Sequence, residues 1–187
     1  MNGILGFQSG GFFYNWIKVF IKSCDGGSFL GYSDPVAYKD KKVYFRGSHN
    51  IIEAFNYLEQ NWKLKTREEI VLVGSYNSAI AALMWTEYVQ SRTPSPVRVI
   101  ADASIFQNTL NHKTKEMTQQ LRLEQTAKFS LDNATLPNTA CAEANKAEPW
   151  KCFFAQELIK YVKAPIFFME SFYDGHNIRE ILGFKCA

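Results

Sequence analysis

Two segments of the 187-residue chain carry side chains that could do chemistry. In the first, Gly74-Ser75-Tyr76-Asn77-Ser78-Ala79 follows the apolar run Ile70-Val71-Leu72-Val73 and leads into an alanine-rich stretch. This is the strand-to-helix position at which a G-x-S-x-G turn lifts a nucleophilic serine above a sheet. The middle residue here is Tyr76. A phenol, with a pKa of about 10, is a poor acyl acceptor, and its ring fills the space a scissile carbonyl must enter. Ser75 and Ser78 flank it and point back toward sheet and helix in such a turn. They read as turn and N-cap hydroxyls, with a nucleophilic role as the lesser alternative.

In the second segment, Asp174 follows Phe172-Tyr173 and precedes Gly175 and His176. Asp174 fits the acid of a Ser-His-Asp triad and fits equally well the N-cap of a helix beginning at His176. None of the three histidines is expected to complete a triad. His49 falls in a helix, His112 in a loop, and His176 is only two residues from Asp174. Asp102, ending another apolar run, reads as a turn cap before it reads as a second pocket carboxylate. No phosphate-cradling loop is found, because Gly26-Gly27 lacks the lysine and the helix start that such a loop needs.

These residues must be positioned by alternating strands and helices. Ile17 to Cys24 alternates Lys18 and Lys22 with β-branched and aromatic neighbours, which predicts a strand ended by Asp25-Gly26-Gly27. Ile51, Ile52, Phe55 and Leu58 recur at helical spacing behind Ser48, a candidate N-cap. Ile70–Val73 predicts a buried strand, Ala79–Met84 a buried helix, and Val97–Ala101 a strand after the Thr93-Pro94-Ser95-Pro96 break. Met117, Leu121 and Gln125 mark a mostly polar surface helix, Pro165–Met169 a last strand with Phe167-Phe168-Met169 in the core, and His176–Leu182 a last helix. Wholly apolar strands alternating with helices imply an α/β fold, a parallel sheet covered on both faces, with ligands at the carboxyl ends of its strands. The reading is a single domain spanning 1–187.

Composition excludes several classes. With 47% hydrophobic and 15% aromatic residues the chain can bury a core, so disorder is not expected. A formal charge of +3, without a long run of one sign, gives no argument for a nucleic-acid partner. No apolar stretch approaches the roughly 20 residues of a membrane helix, and no basic-then-apolar leader is read. The four cysteines form no CxxC, so neither zinc nor another metal or cofactor is expected. Cys141 and Cys152, eleven apart across an apparent loop, could be a disulfide or two inert thiols.

Read in order, Phe13-Tyr14-Asn15-Trp16, Cys24-Asp25-Gly26-Gly27-Ser28-Phe29 and Tyr44-Phe45-Arg46-Gly47 resemble blocks of the pectin acetylesterases and the related carboxylesterase Notum. Val71-Leu72-Val73-Gly74, Ala101-Asp102-Ala103, Cys152-Phe153-Phe154 and Tyr173-Asp174 continue the resemblance nearly to the chain's end. The resemblance implies an α/β-hydrolase fold and, in active members, a Ser-His-Asp esterase acting on an acylated polysaccharide or protein. By position, Asp174 matches the acid, Tyr76 stands where the serine should be, and Asn77 would supply an oxyanion N–H. It also implies a Cys141–Cys152 disulfide and a secreted, extracellular setting, to which Asn133-Ala134-Thr135 adds a possible glycosylation sequon.

The departures from the family pattern lead to a specific expectation. With Tyr76 at the nucleophile position and both the early oxyanion segment and the later histidine region missing from the sequence, the chain reads as a catalytically inactive member, incomplete at both ends of its sheet. It would act as a binding or structural subunit beside other protein chains, with an acylated carbohydrate or lipid as ligand and Tyr76, Phe106 and Tyr173 lining the pocket. The alternative is a carboxylic ester hydrolase completed by another chain, with Ser75 or Ser78 as nucleophile.

Overall fold

The computed structural model describes residues 5, 11–106, 108–130 and 136–185. Three parallel strands form its centre: β3 (Ile70–Ser75), β4 (Val97–Asp102) and β5 (Ile166–Met169), in the order β3-β4-β5. Before them come α1 (Gly47–Trp62) and a small antiparallel hairpin, β1 (Val36–Tyr38) with β2 (Lys41–Val43). Between and after them run α2 (Asn77–Arg92), α3 (Thr118–Ser130), α4 (Thr139–Ala144) and α5 (Ala155–Leu158). The last strand leads into a wide, π-type helical turn, Asn177–Ile181.

Helix α2 forms from a run of good helix formers, and nearly every side of it is buried. Ala79, Leu83, Met84 and Val89 are inaccessible, against Val97, Val99 and Ala101 of β4 in the same core. Its exit is fixed by one side chain. Gln90 donates from Nε2 to the carbonyls of Thr93 and Ser95, while its Oε1 accepts from the Val97 N–H, so helix end, turn and strand start share a single amide.

Helix α1 is not capped as the sequence suggested. Asp25 Oδ2 accepts from the N–H groups of Arg46 and Gly47, at 2.9 and 2.8 Å, and its Oδ1 accepts from Gly27 at 2.8 Å. A carboxylate is the stronger partner for a helix N-terminus. Ser48, the expected N-cap, instead lies within the first turn and donates to the Gly31 carbonyl. Trp85 Nε1 donates to the Phe29 carbonyl at 3.0 Å, which pins the same loop to α2. A second tie between the helices runs through Arg92, which bonds Glu59 and Asn56 of α1.

Three expectations need correction. Ile17–Cys24 forms no strand, and β3 is an edge of the sheet among the described residues. Ile17, Val19, Phe20 and Ile21 all help line a groove of about 1050 Å³ that runs beside β3, and the first three stay largely exposed. The sheet is also not covered on both faces by helices among the described residues. Val73, Ile100 and Phe167 stand side by side in register on the face away from α2, where Val73 is 39% and Phe167 63% exposed. Phe167 is consequently not core; with Phe12, Phe13 and Trp16 it lines a cavity of about 430 Å³ on that face.

The Cys141–Cys152 bridge is present, both sulfurs fully buried, and Asn145 Nδ2 lies within hydrogen-bond reach of each. The intervening segment is not a loop. It holds α4, whose Cys141 N–H is capped by Asn138, and the 3-10 turn Pro149–Phe153. Cys24 is free and exposed. The Asn133 sequon lies outside the described residues. No described helix is long and apolar enough to cross a membrane.

Candidate active site at the strand-to-helix elbow

The turn between β3 and α2 keeps the backbone of a nucleophile elbow. Tyr76 has φ 57° and ψ −126°, a region that residues with a Cβ avoid and that costs of order 1–3 kcal/mol. The surroundings over-determine it. Tyr76 N–H donates to the Asp102 carbonyl at 2.8 Å, and its own carbonyl accepts from Ala79 N–H at 2.9 Å. Gly74 makes the turn possible, since a Cβ there would sit 2.1 Å from the Ser78 carbonyl oxygen. Sheet and helix thus approach too closely for any other residue, and the chain must bend sharply through Tyr76.

A second loop brings the other half of the site. Beyond β4, Glu170 Oε1 accepts from the N–H groups of Ser104 and Ile105 and from Ser104 Oγ, at 2.6, 3.0 and 3.0 Å. This tethers the end of β5 to the β4 exit and sets Phe106, buried, edge-on against the Tyr76 ring at 4.9 Å. Asp174 Oδ1 accepts from Asn177 N–H at 2.7 Å, and Asn177 Nδ2 donates to the Ile105 carbonyl at 3.2 Å. The helical turn that carries His176 is in this way fixed to the loop that carries Phe106.

The product is a phenol–imidazole pair. Tyr76 Oη lies 2.7 Å from His176 Nε2, with the rings perpendicular at 5.0 Å. With the ring proton on Nδ1, Nε2 accepts from the phenol. Burial pushes the Tyr76 phenol above its ordinary value; the Arg122 guanidinium pulls it back, and the carboxylates of Asp174 and Glu180 add to the rise. The phenol therefore stays protonated at neutral pH, and its proton leaves only if a base takes it.

The remaining site residues are separated from this pair. Ser75 Oγ donates to Asp102 Oδ2 at 2.9 Å, and Ser75 lies in register with Asp102 on the sheet. Ser78 is in the first turn of α2. Both serines border the groove beside β3, which neither Tyr76 nor His176 lines. Asn77 opens α2, its N–H at the helix's positive end. The phenol oxygen, a ring's length further from the backbone than a serine oxygen, is carried away from that N–H. Asp174 occupies the capping role and makes no hydrogen bond to an imidazole among the described residues. Phe106 is 2% exposed and cannot stack on a ligand, whereas Tyr173 is 86% exposed.

His176 is the residue that the sequence did not deliver. The one signal is its order, an imidazole after the acid, set against a separation of only two residues. Separation along the chain is a poor guide here, because a helical turn points Asp174 inward at the backbone and His176 outward at the elbow. Among the described residues no cluster of His, Cys, Asp and Glu could hold a metal ion.

Comparison with known proteins bears on the family and the fold. Pectin acetylesterase 5 of Arabidopsis thaliana is 27% identical over 176 residues, covering 91% of this chain and 39% of that protein. The palmitoleoyl-protein carboxylesterase NOTUM of Schmidtea mediterranea is 22% identical over 177 residues, covering 89% and 33%. The crystal structure of the Wnt deacylase Notum from Drosophila superposes with a TM-score of 0.78 at 19% identity, over 90% of this chain and 50% of that one. The α/β-hydrolase-like fold is thereby shown, and the chain spans about two-fifths of the length of the pectin acetylesterases it matches. The pectinacetylesterase family model matches residues 2–187, and the chain belongs to that family.

Proposed function

We propose that this chain is a non-hydrolytic member of the pectinacetylesterase family that binds an acylated ligand at the elbow and works alongside other protein chains. One observation carries the reading: the elbow is intact in its backbone but presents Tyr76, whose hydroxyl is held by His176. An alkyl ester entering this site meets a protonated phenol instead of a serine hydroxyl, with the Asn77 N–H out of line with the reacting oxygen. Losing a triad member removes several orders of magnitude of rate, and losing an oxyanion donor roughly a further 10²–10³-fold. Neither flanking serine compensates, because Ser75 Oγ is engaged by Asp102 and no histidine bonds Ser78 among the described residues.

The ligand class follows from the family, whose named relatives are esterases of pectin acetyl groups and of an acylated protein. Half-exposed Tyr76 and solvent-facing Tyr173 supply rings on which a sugar or acyl group can lie. The edge that β3 presents among the described residues and the exposed Val73 and Phe167 support contact with further protein surface.

The test is fluorophosphonate labelling of the full chain with peptide mapping, run beside alkyl acetate turnover. No label on Ser75 or Ser78 and no turnover is expected. Stoichiometric label on either serine, lost in Ser75→Ala or Ser78→Ala, sinks the reading in favour of an ester hydrolase.

A further inference from the structure

We infer that Tyr76 is a covalent acyl acceptor for donors whose leaving group is no more basic than a phenol, aryl esters above all, with His176 as the base that takes its proton. The inference rests on the reading of the elbow as a site for acylated ligands, and it concerns what the replacement residue does there.

The geometry is that of an activated nucleophile. Such a residue needs an accessible oxygen, a base within hydrogen-bond reach and a third element orienting the base. Tyr76 is 37% exposed, and its Oη is 2.7 Å from His176 Nε2. The helical turn that carries His176 is fixed by Asn177, whose N–H donates to Asp174 and whose Nδ2 donates to the Ile105 carbonyl, and the imidazole stands edge-on to the rings of Tyr76 and Phe106. Phe106 and the imidazole abut the phenol ring edge-on at 4.9 and 5.0 Å and favour this orientation. A tyrosine held merely as a plug would not need its hydroxyl aimed at the lone pair of an imidazole.

The step balances without a co-reactant. Oη attacks the carbonyl carbon of the ester while its proton passes to His176 Nε2. The tetrahedral adduct collapses, the bond to the aryl oxygen breaks, and the aryloxide leaves with the electron pair and recovers the proton from the imidazolium. The product is an O-acyl tyrosine, itself an aryl ester. The substrate class follows from the same chemistry. Acyl transfer from an alkyl ester would expel an alkoxide far more basic than the phenolate that attacked, so the adduct would revert. An aryl donor exchanges one phenol for another, which needs less help from the displaced Asn77 N–H.

The experiment is acylation of the full chain by 4-nitrophenyl acetate, followed by nitrophenolate release and intact mass, with the adduct mapped to its peptide. Expected is a burst of one equivalent, a single acetyl on Tyr76, no adduct in Tyr76→Phe, and acylation roughly 10²–10⁴-fold slower in His176→Gln. Tyr57→Phe, on the exposed face of α1, controls for adventitious surface acylation and is expected to behave as the parent. Tyr76→Phe keeps the ring and its packing, so loss of the adduct reports on the hydroxyl. An adduct elsewhere, an undiminished burst in Tyr76→Phe, or an unchanged rate in His176→Gln overturns the inference. If Tyr76 stays unmodified while Ser75 and Ser78 also escape fluorophosphonate, the inference fails and the binding reading stands. If a serine is labelled, the binding reading fails.

Discussion

Glycine and alanine at position 76 should rank in the order opposite to the usual one, and the difference measures what the elbow backbone costs. Either replacement removes the same ring, the same contact with Phe106 and the same bond to His176, so these losses cancel between them. What remains is the backbone at φ 57°, ψ −126°. Glycine populates that region freely, whereas alanine keeps a Cβ there and retains about 2 kcal/mol of the strain. Against this, glycine gives the unfolded chain more freedom, which costs about 0.7 kcal/mol. The net expectation is that Tyr76→Gly is more stable than Tyr76→Ala by about 1 kcal/mol, or roughly 2–4 °C in Tm for a chain of this size. Urea unfolding of the two variants, compared at equal m, reads it directly. If Tyr76→Ala equals or exceeds Tyr76→Gly in stability, the elbow is not strained in solution and the account of how the loop positions the phenol is wrong.

Gly74→Ala should destabilise by at least about 2 kcal/mol, as overpacking against backbone does, because the added carbon would meet the Ser78 carbonyl oxygen at 2.1 Å and the Ala79 nitrogen at 2.5 Å; thermal unfolding checks it, and a neutral result would show that α2 can retreat from β3. Reducing the Cys141–Cys152 bridge, which spans a sequence separation of 11, should cost about 3 kcal/mol on the loop-closure account, measured as a shift of the denaturation midpoint with and without reductant. Glu59, chiefly through its hydrogen bond to Arg92, titrates below its ordinary value. A depressed carboxylate stabilises above its unfolded pKa and loses that contribution as pH falls through the folded one. Stability should therefore drop on acidification below about pH 4.5, and Glu59→Gln should flatten that part of the profile.

Much of the fold was legible because burial on the α2 side imposes strong patterns. The runs Ile70–Val73 and Val97–Ala101 read as buried strands and the alanine-rich stretch between them as a buried helix; each element occurs with its ends shifted by a few residues, but β3 is a half-exposed edge and only β4 is interior. The errors fall where an alternating pattern finds no ladder or where a distant group does a local job. Ile17–Cys24 has strand alternation, yet it pairs with no strand, and Ile17, Val19 and Phe20 stay largely exposed along a groove. Ser48 lost its capping role to Asp25, more than twenty residues upstream, and no local rule sees such a partner. Phe167 reads as core from its neighbours Phe168 and Met169, yet the pleat turns it to the face that α2 does not cover.

The site was half legible for a related reason. The strand-to-helix turn was locatable, since Gly74 and the preceding strand leave a local signature. The partner of Tyr76 has none. His176 reaches Tyr76 only because three contacts of different origin agree: Glu170 folding the β4 exit, Asn177 bonding Ile105, and Asp174 capping the turn between them. The carboxylate that would be the acid of a triad thus acts on the backbone, and the imidazole two residues later takes the position facing the reactive oxygen. A packing requirement at Gly74 explains the sharp bend through Tyr76, but it says nothing about where the phenol points. The 2.7 Å approach of Oη to Nε2 is a separate fact that backbone geometry does not compel, and it makes Tyr76 more than a residue filling a space.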